Sequence, residues 1–172
     1  MAVELIPGYE LHQGGSSDRA RLVQFMRRTY RELYPDQDLA HLADTVERYF
    51  SPDSPVWWVY PHKDDSGESD PEHFSPLLPH SRPSPVGCLW LGNAVDQVTG
   101  DRHAHIFLLY VSPPHRRQGI GTALVHYAEN WAKQRGDRQM GLQVFLSNPR
   151  ALHLYQKLGY QTHSLWMLKP LQ

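Results

Sequence analysis

The chain has 172 residues, 40% hydrophobic and 20% charged, a composition expected of one soluble globular domain with a core of its own. Lys and Arg number 17 against 18 Asp and Glu, and the resulting net charge of -1 gives no general affinity for nucleic acid or an anionic membrane. Cys88 is the single cysteine, which excludes an internal disulfide and a multi-cysteine metal site, and no apolar run is long enough to span a bilayer, so a reducing, cytoplasmic location is expected.

Gly8 to Gln13 reads as a short strand that runs into Gly14–Asp18, where Ser17 is placed to cap a helix. Leu22, Met26, Thr29, Tyr30 and Leu33 then recur at helical spacing up to Pro35. A second helix takes its apolar stripe from Leu39, Leu42, Ala43, Val46, Tyr49 and Phe50 and stops at Ser51–Pro55. Val56–Tyr60 and Val86–Val95 read as buried strands, joined by a long Pro/Ser/Asp-rich hairpin excursion at about 62–85 that lacks apolar periodicity.

His105–Val111 is a continuous apolar run of buried-strand type. A helix follows from Gly119, carries Leu124, Ala128, Trp131 and Ala132 inward, and ends at Gly136 in the position of a left-handed cap. Gly141–Leu146 alternates as a strand, Asn148 caps a helix with Pro149 in its first turn, and Tyr160–Leu168 forms a closing strand segment. The order predicts an α/β (α+β) fold: a mixed central sheet of about six to seven strands flanked by helices, all in one domain over 1–172.

Two arginines precede two glycines at the start of the helix after His105–Val111, where unpaired N–H groups and a positive dipole end favour an anion. A dinucleotide fingerprint is not met, because Leu124 stands where the third glycine belongs, and the Gly-Lys-Ser/Thr ending of a Walker loop is absent. A plain strand-to-helix turn with solvated arginines stays open on the residues alone. The spacing R-x-x-G-x-G at Arg116, Gly119 and Gly121, followed some thirty residues on by Asn148, Ala151, Tyr155, Gly159 and Tyr160, resembles the Gcn5-related N-acetyltransferase (GNAT) superfamily.

The resemblance covers Ile106–Tyr160 and implies an acyl-CoA N-acyltransferase-like fold, acetyl-CoA as co-substrate, no metal, and transfer to a primary amine in a ternary complex. It implies that the backbone of Arg117, Gln118, Gly119, Ile120, Gly121 and Thr122 holds the pyrophosphate, with Arg116 and Arg117 adding charge-assisted bonds. It sets the pantetheine arm beside Leu109, Tyr110 and Val111, where a bulge would free an N–H to polarise the thioester, and brings Asn148 toward the cofactor in addition to its cap. The two early helices then shape the acceptor site, with Arg27, Arg28, Arg31, Glu32 and Asp36 varying its charge, and a homodimer is an option.

Tyr155 stands where the family commonly places its acid, and a phenol with a pKa of ~10 can protonate a departing thiolate. His105 is the candidate base, on the strand where some members carry a glutamate, with a water chain as the alternative. His103 and His105 form H-x-H, but two ligands without a third give no metal site. Trp57, Trp58, Tyr60 and Trp90 crowd the middle strands, and an exposed subset of them would line an acceptor pocket. The acceptor is left open among a small amine, an amino acid and a protein amine. The alternatives are a longer acyl group, a non-catalytic acyl-CoA-binding or sensing module, and a plain interaction domain.

Overall fold

The computed structural model describes residues 2–62 and 84–171. Its element order is β1 (Ala2–Ile6), β2 (Tyr9–Gln13), α1 (Arg19–Leu33), α2 (Leu42–Tyr49), β3 (Val56–Pro61), β4 (Gly87–Val95), β5 (Arg102–Val111), α3 (Ile120–Gln134), β6 (Met140–Leu142) and α4 (Pro149–Lys157), with 3-10 turns at Ser16–Asp18 and Pro113–His115. The strands lie side by side in chain order, antiparallel throughout except for the parallel pair β5–β6 that α3 connects.

The sheet is covered on both faces. Leu22, Phe25 and Met26 of α1 and Leu42 and Val46 of α2 pack on Trp58, Cys88, Trp90, Leu108 and Tyr110, while Ile120, Leu124, Val125 and Ala128 of α3 and Tyr155 of α4 pack on Leu11, Trp57, Val59, Leu89, Leu91 and Ile106. A strand with helices on both sides needs apolar residues at every position, which is why β3 and β4 read as unbroken apolar runs. Ser54, a buried polar residue after α2, donates to Tyr49 O at 2.7 Å, and its own carbonyl accepts from Trp90 Nε1 at 3.1 Å, so the helix end is pinned to β4.

Several expectations change. The segment before Gly8 is a strand: Ala2–Ile6 pairs antiparallel with β2 around a turn in which Gly8 has φ +88°. Ser17 is not the cap; the Asp18 carboxylate accepts from Gly15 N–H at 2.9 Å and α1 begins after it. The strand at Gly141–Leu146 shortens to Met140–Leu142, because only these residues stay within reach of β5. Tyr160–Leu168 forms no strand and pairs with none. Residues 63–83 of the 62–85 excursion lie outside the described residues; β3 and β4, which flank it, are an antiparallel pair.

One irregularity positions everything that follows. Trp90 faces Leu108 and Leu91 faces Ile106, so Phe107 is an extra residue in β5 with no partner on β4. The side-chain period of two breaks there: Ile106 belongs to the α3/α4 core, and Leu108, two residues later, belongs to the α1/α2 core. Gly92 makes room for this bulge, since a β-carbon there would collide with the Phe107 ring.

Candidate active site

β5 and β6 touch only at Ala104–Ile106, so from Phe107 to Val111 the outer edge of β5 faces an open cleft. The Ser112 N–H donates to Val86 O at 2.8 Å, and the alternation of an antiparallel ladder then makes Tyr110 and Cys88 a hydrogen-bonded pair. Leu109 and Val111 therefore turn their N–H and C=O groups away from β4 and toward the cleft, where the Val111 C=O is taken by Arg116. Of the three residues expected beside the pantetheine, Tyr110 differs: its backbone serves β4, and its ring packs against Phe25 with its hydroxyl donating to Glu32 at 3.0 Å.

At the head of the cleft the chain passes through Pro113–His115 into α3. Arg116 is extended, Arg117 has φ +65° and Gly119, the N-cap of α3, has φ +89°. Alternating backbone handedness of this kind points successive N–H groups into one concavity. Among the described residues, the N–H groups from Arg117 through Thr122 donate to no protein acceptor; the first helical bond at this end, from Ala123 N–H to Gly119 O, is 3.0 Å. The side chains of Arg117 and Gln118 are exposed beside them. A β-carbon at Gly121 would meet only Leu154 Cδ2, at 3.4 Å, so the fold has room for a β-carbon there.

The loop is held from both sides. Tyr9 of β2 donates to Gln118 Oε1 at 2.7 Å, and its oxygen lies 2.8 Å from His115 Nδ1, which must then be the donor of that pair. Arg116 donates from Nε to Val111 O at 2.7 Å and from Nη2 to both carboxylate oxygens of Glu32, at 2.9 and 2.7 Å. The Arg116 guanidinium expected at a phosphate is thus occupied by α1, and Arg117 is the arginine of the pair left facing solvent.

Tyr155 sits on the inner face of α4, 9% exposed, with its ring edge-on to Tyr160 at 5.6 Å between centroids. Burial pushes its pKa up to about 12, so the phenol stays protonated through the physiological range. Asn148 caps α4 as expected, its Oδ1 accepting from Ala151 N–H at 3.2 Å, and its amide N–H groups have no partner among the described residues. His105 is four residues before Leu109, roughly 13 Å along an extended strand, beyond direct reach of a thioester at Leu109. Its Nδ1 is buried without a partner, and burial with His103 nearby lowers its pKa. Among the described residues no group of three or more His, Cys, Asp or Glu is placed to hold a metal. The aromatic cluster is core, with Trp57, Trp58 and Trp90 buried; Tyr60 alone reaches a cavity of about 230 Å³, shared with Arg21, Gln24, Phe25, Arg28 and Pro85.

The chain as a whole has relatives among known proteins. The pattern of the acetyltransferase (GNAT) family matches residues 20–160. The chain belongs to the GNAT family. An uncharacterized N-acetyltransferase of Methanocaldococcus jannaschii is 35% identical over 82 residues, 45% of this chain and 34% of that protein. The ribosomal protein bS18-alanine N-acetyltransferase of Escherichia coli K12 is 37% identical over 67 residues, 39% of this chain and 45% of its own length. The chain thus aligns with less than half of each of these two relatives. The aminoglycoside N-acetyltransferase AAC(6')-Iy, solved with CoA, superposes with a TM-score of 0.64 at 13% identity over 97% of this chain and 99% of its own, which establishes a GNAT fold. No described helix is long and apolar enough to cross a membrane.

Proposed function

We propose that this GNAT protein is an acetyl-CoA-dependent N-acetyltransferase that passes the acetyl group directly to a primary amine. The observation that carries this reading is that the N–H row from Arg117 to Thr122, unpartnered among the described residues, follows directly on the stretch of β5 that β6 does not cover, where the Leu109 N–H and C=O and the Val111 N–H face away from β4. The first suits a pyrophosphate and the second an extended amide-bearing chain, which are the two halves of coenzyme A. Arg117 adds charge at the phosphates, Gly119 supplies the left-handed turn, and Ile120, Gly121 and Thr122 present the helix end. Gln118 and Arg116 hold the loop in shape, and the free amide of Asn148 faces the cofactor chain.

Transfer requires the amine nitrogen to bond to the acetyl carbon as the carbon–sulfur bond breaks. The Leu109 N–H stabilises charge on the carbonyl oxygen, and Tyr155 donates its proton to the leaving thiolate. The proton lost by the amine leaves through water, since His105 is out of direct reach, and the tyrosine is reprotonated from the same solvent. The relatives named for acetylating an alanine amine and an aminoglycoside support an amine acceptor. Thiol release from acetyl-CoA, followed across alanine-terminated peptides, free amino acids and polyamines, tests the reading. Turnover of one class above the rate without acceptor is expected; acetyl-CoA binding with no transfer to any amine would leave a binding module instead.

A further inference from the structure

Five arginines, Arg19, Arg21, Arg27, Arg28 and Arg31, share α1 with one carboxylate, Glu32, in a chain whose net charge is -1. Arg21, Gln24, Phe25 and Arg28 recur at i, i+3, i+4 and i+7 and so stand on one face of the helix. That face borders the cavity of about 230 Å³ that Tyr60 of β3 and Pro85 also line. Aromatic rings back it: the Arg28 guanidinium lies 4.9 Å from the centre of the Phe25 ring, and that of Arg21 lies 5.4 Å from the Trp58 ring. An arginine held against a ring keeps N–H edges for a ligand.

The cavity is rich in donors and its charges do not balance. Arg21 donates from Nη1 to Asp18 at 2.7 Å and to the Tyr60 oxygen at 3.3 Å, which leaves the Tyr60 O–H without an acceptor among the described residues. The carboxylates around the cavity are engaged. Asp18 also accepts from Gly15 N–H at 2.9 Å; Glu10, opposite Tyr60 in the sheet, lies 3.0 Å from His12 and 3.3 Å from His62; Glu32, one turn beyond Arg28, holds Arg116 and Tyr110. Arg28 itself pairs with no carboxylate among the described residues. What such a hollow lacks is a negative group with several acceptor oxygens. We propose that Arg28, with Arg21, Gln24 and Tyr60, forms a binding site for a carboxylate or phosphate group, built from residues none of which belongs to the acetyl-CoA cleft. Set against the ~30 Å³ share of one water, the cavity takes such a group together with the atoms that carry it. Two sources bring this chemistry, an acidic group on the amine acceptor or a separate small anion, and the first of them rests on the acetyltransferase reading.

Inorganic phosphate and succinate are titrated into the protein without coenzyme, at constant ionic strength in a buffer free of other oxyanions, and followed through the arginine Nε–H NMR signals. Saturable shifts at Arg21 and Arg28 are expected. Arg28 is exposed, so Arg28→Gln keeps the fold, and it should weaken binding roughly tenfold, as the loss of one charge-assisted contact does. Arg48→Gln removes the same charge from an exposed position on α2 and should leave binding unchanged. Signals that drift without saturating, or equal weakening in the two variants, would mark general charge attraction and overturn the site. Once binding saturates, transfer kinetics separate the sources. If the acceptor brings the anion, Arg28→Gln raises KM for a peptide amine carrying an Asp or Glu and spares its Asn or Gln counterpart; if the anion is a separate ligand, the two KM values respond alike. The titration uses no coenzyme, so its failure is distinct from a failure of the acetyl-CoA assignment.

Discussion

Glu32 of α1 receives Arg116 of the α3 loop through both carboxylate oxygens, at 2.9 and 2.7 Å, while the same guanidinium holds Val111 O. One side chain therefore ties together the helix over the cleft, the end of β5 and the loop proposed to cradle phosphate. The pair is part-exposed, so its direct contribution to stability is small, about 0–1 kcal/mol, and its value is geometric. Glu32→Ala should lower the melting temperature only slightly yet weaken acetyl-CoA binding several-fold, read by titration. A variant with full cofactor affinity would show that the loop holds its shape without α1.

Tyr155→Phe removes the proposed proton donor and keeps the ring. It should lower kcat by about 100-fold or more with little change in acetyl-CoA affinity, within the range for a lost general acid. Unchanged kcat would assign Tyr155 to packing alone.

The same phenol makes a prediction about alkaline stability. Its folded pKa, about 12, lies above the ordinary value of 10.0, so the folded state holds the proton longer. Its stabilising contribution is complete below pH 10 and is lost as pH rises from 10 toward 12. In denaturant titrations the wild type should lose stability relative to Tyr155→Phe as the pH climbs through that window; a constant difference would contradict the burial argument.

His105 has the opposite sign. Its folded pKa is depressed, so its contribution is present above the unfolded value of 6.5 and disappears as pH falls below it. His105→Gln should flatten the acid limb of the stability curve and retain most of the transfer activity, because the imidazole stands on the order of 10 Å or more from Leu109. Loss of activity in this variant would restore it as a base.

Gly92 faces the Phe107 ring across the bulge. Gly92→Ala should cost about 1–3 kcal/mol by overpacking and reduce activity together with stability, because the bulge sets which residues point into the cleft. Gly92→Ala with Phe107→Ala should recover stability; a single variant as stable as the wild type would argue that the ring moves freely.

The backbone of the loop before α3 and the start of α4 were legible in the sequence, since glycine spacing, a following amphipathic stripe and an Asn-Pro helix start are local signals. Gly119, Gly136 and Asn148 adopt the conformations those signals require. The bulge at Phe107 was not legible: in a strand apolar on both faces, a one-residue insertion changes no pattern. Nor was the pairing of Arg116 with Glu32, residues far apart in the chain whose meeting depends on how α1 crosses the sheet. Ala2–Ile6 was not legible because a short edge strand needs its hairpin partner to be recognised, and Tyr160–Leu168 has the composition of a strand but pairs with none among the described residues.

The most direct measurement is calorimetric titration of acetyl-CoA into the wild-type protein and a Gly121→Val variant, both checked for folding by circular dichroism. The fold leaves room for a β-carbon at Gly121, and a loss of binding in a variant that circular dichroism shows to be folded reports on the ligand and not on the helix. Saturable one-to-one binding is expected, weakening at least tenfold in the variant, about 1.4 kcal/mol. Absence of binding to the wild type, or equal affinity in a folded variant, would contradict the assignment of this cleft to acetyl-CoA.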